Sequence, residues 1–92
     1  MKKISGLRSQ IDAIDDKLLL LLSRRARLAI RVGLVKQHHG LAARSSDREQ
    51  QILHRLGRTR GGPFDPAAIK RIFRSIVRES RRVATRVRYG HE

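Results

Sequence analysis

The chain of 92 residues contains no cysteine, which excludes disulfides and thiolate metal sites. Aromatic residues are almost missing: Phe64, Phe73 and Tyr89 are the only three. That scarcity argues against an RNA-binding sheet, which stacks bases on aromatic rings. The four histidines (His38, His39, His54, His91) include no i,i+4 pair suited to a metal. Neither a metal nor a cofactor is expected. The longest apolar run, Leu18 to Leu22, is far too short to span a membrane. The opening MKKIS leads into IDAID rather than into a long apolar stretch, so no secretory leader is expected.

Acidic residues are scarce too. Eight Asp and Glu stand against 22 Lys and Arg, a net charge of +14, and seventeen of the 22 are arginine. Such an excess suits anionic partners, either nucleic acid or small polyanions, and also suits plain solubility. The length allows one domain, residues 1–92, and a domain this small is usually marginal alone.

One pattern dominates the first third. Ile4, Leu7, Ile11, Ile14, Leu18, Leu21, Arg25, Leu28, Val32 and Val35 alternate in steps of three and four. This is an a/d seam held for more than four heptads. It predicts one helix from about Ser5 to His38, roughly 50 Å long. A compact domain of this size has a radius of gyration near ~13 Å. The helix therefore overhangs its own domain and is expected to pack along a second copy of itself.

Gly40 is the expected C-cap. Ser46-Asp47-Arg48-Glu49 reads as a capping box opening a short helix that carries Ile52, Leu53 and Leu56. Gly57 to Pro63 reads as a loop, and Asp65-Pro66 as an N-cap followed by proline at the first helical position. A third helix runs to about Arg88 on a stripe of Ile69, Ile72, Phe73, Ile76, Val77, Ser80, Val83, Ala84 and Val87. Nothing alternates with period two, so the expected class is all-α, three helices per chain, in an intertwined homodimeric bundle.

Some residues break the pattern. Arg25 stands in the seam where Leu or Ile belongs, and a buried charge needs a partner anion. The plainer account is an arginine snorkelling at the seam edge, or paired with an acid of the other chain. Lys36 follows eleven residues later, on the same face and ~16 Å along the axis. It either leans over a shared anion or complements the helix dipole. Glu49 serves the capping box or accepts from a ligand hydroxyl. Arg48 is either solvated or part of a carboxylate clamp. Ser80 interrupts the third stripe, where serine comfortably bonds its own backbone.

These residues together resemble the all-helical chorismate mutase family. The match runs through Leu7-Arg8, Ile11-Asp12, Ile14-Asp15, Arg24-Arg25, Leu28-Ala29, Val32-Gly33, Lys36 and Asp47-Arg48-Glu49, with a looser fit at Ile72-Phe73 and Glu79-Ser80. The resemblance implies an intertwined homodimer that rearranges chorismate to prephenate in the cytoplasm, in aromatic amino acid biosynthesis. Arg8 and Arg25 lie ~25 Å apart on one helix, so within one subunit they cannot hold one small ligand. The resemblance implies that Arg8 reaches into the other subunit's site. There Arg25 and Arg8 of the partner subunit grip the two carboxylates, supported by Arg48 and Ser80. Glu49 meets the ring hydroxyl, and Lys36 donates to the ether oxygen.

Two positions depart from the family. Ala84 stands where a glutamine or glutamate normally gives a second donor to the ether oxygen. Losing such a donor can cost ~3 kcal/mol in barrier. Ser45 replaces an acid that helps contact the ring hydroxyl. Arg81, near Ala84 in the chain, lies off the Ser80 face and is not read as a replacement. Compensation by neighbouring groups, an activating partner enzyme, a slow enzyme, or a substrate related to isochorismate or an amino-substituted chorismate are the alternatives. From another class come a mutase-like interaction module and a nucleic-acid binder using the eight basic residues between Lys70 and Arg88. The lack of a helix-turn-helix spacing disfavours the latter.

Overall fold

A computed structural model describes residues 2–42, 44–59 and 62–88. It consists of α1 (Lys2–His38), α2 (Ser46–Gly57) and α3 (Pro66–Arg88), with no strand among the described residues. The three expected helices form. α1 begins three residues earlier than the seam required, and α2 continues through Gly57, which the sequence assigns to the loop. Arg60 and Gly61 of that loop lie outside the described residues.

The ends of the helices follow their side chains. α1 stops in a Schellman-type cap: Leu41 N–H donates to the Lys36 carbonyl at 2.7 Å and Gly40 N–H to that of Gln37 at 3.1 Å. Gly40 takes φ +67° there, a conformation that favours glycine. α3 starts as expected, with Ala68 N–H donating to the Asp65 carboxylate at 2.7 Å ahead of Pro66. The start of α2 corrects the capping box by one residue. Ser45, not Ser46, is the N-cap, and its hydroxyl accepts from Arg48 N–H at 3.3 Å. Glu49 then falls one place beyond the position from which it would reach back to the cap, and its carboxylate is free for other work.

α3 is the central element, packing on both α1 and α2. Arg25 meets Ser80 and Gly33 meets Ala84, so α1 and α3 run in the same direction. Glu49 meets Arg81 and Gly57 meets Lys70, so α2 runs against α3. A Cβ on Gly33 would sit 3.6 Å from the Ala84 Cβ, and this pair of small residues is where α1 and α3 close together.

α3 reaches only the C-terminal half of α1. Every described residue from Lys2 to Leu22 is exposed, including seam residues Ile11 and Leu21 at 56% each. Among described residues the buried apolar set is just Ile52, Ile69 and Val77. A folded monomer of 10.5 kDa presents about 5,400 Å² of surface. This chain presents 7744 Å², an excess of about 2,300 Å² over that scaling. Its radius of gyration is 16.5 Å, where a compact chain of this length has about 12 Å.

Candidate functional site

All three helices meet around a pocket of about 310 Å³, at the small end of the range for small-molecule sites, about 300–1,000 Å³. α1 contributes Arg25, Ala29, Gly33 and Lys36. These sit four, four and three residues apart, so they share one helix face. The first turn of α2 and its cap contribute Ser45, Arg48 and Glu49. α3 contributes Val77, Ser80, Arg81, Ala84 and Thr85.

Seven of the eight residues nominated from sequence line this one pocket: Arg25, Lys36, Ser45, Arg48, Glu49, Ser80 and Ala84. Arg8 does not. It sits on the overhanging half of α1, as expected for a residue that cannot serve its own subunit. Four cations face the cavity (Arg25, Lys36, Arg48, Arg81), against the single carboxylate of Glu49.

The anomaly at Arg25 resolves locally. Its Nη1 donates to Ser80 Oγ at 2.8 Å, and Ser80 is buried. A neutral hydroxyl orients the guanidinium without cancelling its charge. Among the described residues no carboxylate pairs with Arg25. Burial, and secondarily the nearby Arg48 charge, push its pKa below the ordinary arginine value. Arginine nonetheless stays protonated at neutral pH, so the pocket holds a half-buried cation with no anion. The Ser80 contact gives Arg25 a definite position over the cavity.

Arg81 is the residue the sequence reading set aside. Its Nη1 donates to Glu49 Oε1, while Arg44 Nη2 reaches Oε2 at 3.3 Å. Arg81 does lie off the Ser80 face, but that side of α3 looks at α2. The pocket has two walls against α3, so two faces of that helix border it. Thr85, Leu28, Val32, Ile52 and Val77 complete the lining; the last four carry an ordinary apolar signal that does not distinguish a pocket wall from core.

Three comparisons with known proteins bear on this geometry. The family model of chorismate mutase type II matches residues 7–85. A bifunctional chorismate mutase/prephenate dehydratase of Aquifex aeolicus is 36% identical over 81 residues, covering 84% of this chain and 22% of that protein. Its counterpart from Escherichia coli is 39% identical over 76 residues, covering 82% and 20%. The chain thus spans about a fifth of the length of the curated relatives it matches. Among solved structures, chorismate mutase (form II) from Thermus thermophilus superposes with a TM-score of 0.88 at 31% identity, over 91% of this chain and 96% of that one. Chorismate mutase from Helicobacter pylori in complex with prephenate superposes with a TM-score of 0.84 at 27% identity, over 92% of each. A three-helix chain with a pocket of this make-up has the fold of the all-helical chorismate mutases. The chain belongs to the chorismate mutase type II family. That membership favours the mutase over the nucleic-acid binder. Among the described residues no helix is long and apolar enough to cross a membrane.

Proposed function

We propose that this domain converts chorismate to prephenate, as a cytoplasmic isomerase of aromatic amino acid biosynthesis. The observation that carries the reading is the uncompensated Arg25 cation, oriented by Ser80 in a pocket with Lys36 and Arg48. Such a site is built for a small polyanion. Arg25 and Arg48 bind carboxylate, with Ser80 fixing the Arg25 fork. Glu49 accepts from the ring hydroxyl, and Ser45 lies beside it. Lys36 donates to the ether oxygen, where negative charge grows as the bond breaks. The rearrangement is intramolecular, so the domain's contribution is to hold the folded conformer and to stabilise that charge. At Ala84 a methyl group stands where a second donor would add to Lys36.

The functional unit is a homodimer. The bare half of α1 and an excess surface of about 2,300 Å² per chain fall in the class of obligate dimer interfaces. Pairing the seams covers the leucines and carries Arg8 into the other subunit's pocket, supplying a further carboxylate partner. The Aquifex aeolicus and Escherichia coli relatives are bifunctional chorismate mutase/prephenate dehydratases; an enzyme that consumes prephenate is a fitting partner here as well.

The test is subunit complementation, following chorismate loss with chromatographic identification of prephenate. Arg8→Ala and Arg25→Ala homodimers each lose turnover while remaining helical dimers. Mixed and refolded together, they recover about a quarter of wild-type activity, since half the dimers hold one intact site of two. No recovery, with both variants dimeric, means that Arg8 and Arg25 do not share a site across the interface. Wild-type protein that leaves chorismate unchanged refutes the activity.

A further inference from the structure

Glu49 is the only carboxylate lining the pocket among the described residues, and it shares that space with Arg25, Lys36 and Arg48. A glutamate side chain has three rotatable bonds, and three unpaired cations lie within the same small cavity. Left loose, its carboxylate is a built-in competitor for the place a ligand carboxylate must take. The structure shows it held aside. Arg81 takes Oε1 and Arg44 takes Oε2. The two are unequal: Arg44 is 61% exposed, and exposed ion pairs contribute little. Arg81 is 30% exposed and Glu49 19%, so this pair is the more sheltered and the more strongly coupled.

We infer that Arg81 is a positioning residue that restrains the Glu49 carboxylate on the α2–α3 side of the pocket and so keeps the anion site on Arg25, Arg48 and Lys36 open for a dianionic ligand. The inference rests on the mutase reading for the identity of that dianion. Arg81 itself does not touch substrate. Without it, Glu49 swings toward the cations and competes with the ligand inside the molecule.

The discriminating experiment is a cycle of Arg81→Met, Glu49→Gln and the double variant, with chorismate turnover and calorimetric binding of prephenate. Arg81→Met raises KM, and weakens prephenate binding, by about tenfold, the scale of one charge-assisted hydrogen bond; kcat stays within about twofold, since ground and transition states lose equally. Arg81→Lys, which keeps a cation, falls between. In the Glu49→Gln background, where the competitor is neutral, Arg81→Met has no further effect. A merely structural role for Arg81 gives the same loss in both backgrounds, and that result overturns the inference. So does an Arg81→Met enzyme with wild-type KM; the mutase reading then stands alone. A wild-type protein that neither turns over chorismate nor binds prephenate removes the mutase reading and the inference with it.

Discussion

The two halves of α1 follow the same heptad rule and have opposite surroundings. From Lys2 to Leu22 every described residue is exposed, although the seam there is purely aliphatic. From Ser23 onward the helix lies against α3, its buried position is a glycine, and its seam is broken by Arg25. The purely aliphatic stretch is bare on every side, while in the second stretch α3 covers one side and leaves Leu28, Val32 and Val35 exposed. A helix built to complete its own domain would be arranged the other way round. On the proposed reading, the N-terminal half is the dimer interface and the C-terminal half is a wall of the binding site.

The sharpest way to break that contrast is to charge the bare half. Each fully buried isoleucine contributes about 1.5–3 kcal/mol, and a dimer buries the position twice. Ile11→Asp is expected to dissociate the dimer and abolish turnover together, as read by sedimentation and chorismate loss. A monomer with full activity would mean that each chain holds a complete site.

A smaller effect is expected within the covered half. Ala84 lines the pocket, so Ala84→Gln should place its amide along the pocket wall and add a donor near Lys36. We expect kcat to rise up to about tenfold, within the range of a single such donor, with the oligomer unchanged. An unchanged or lower rate would show that the ether oxygen is already served by another group.

Smallest is Gly33→Ala. The added methyl would meet the Ala84 Cβ at 3.6 Å, an ordinary contact, and alanine gains up to about 1 kcal/mol over glycine in a helix. The melting temperature should rise by a few degrees. A fall would show that α1 and α3 need a closer approach than the contact distance indicates.

How far the chain was readable from sequence differs by residue. The seam, Gly40 and Asp65-Pro66 act through local geometry, and the helices and two of their ends follow directly. The cap at α2 slipped by one because Ser45 and Ser46 are adjacent and chemically alike. Which of them turns outward depends on how the connector joins α1, which is tertiary information. The pocket set was legible through the family spacing, since Arg25, Lys36, Arg48 and Glu49 carry charge at fixed intervals. Arg81 was not, because helical periodicity assigns each helix one inner face. α3 has two neighbours, and the face turned to α2 borders the same cavity.

The lowered pKa of Arg25 has a consequence for the protein's stability rather than for its chemistry. Burial, and secondarily Arg48, disfavour the charged form of that arginine. On the proposed reading, a dianion seated between the two offsets that cost with opposite charge, so the ligand stabilises the folded chain. On the proposed reading, prephenate raises the melting temperature of the wild type and not that of Arg25→Ala, as thermal denaturation with and without prephenate would show.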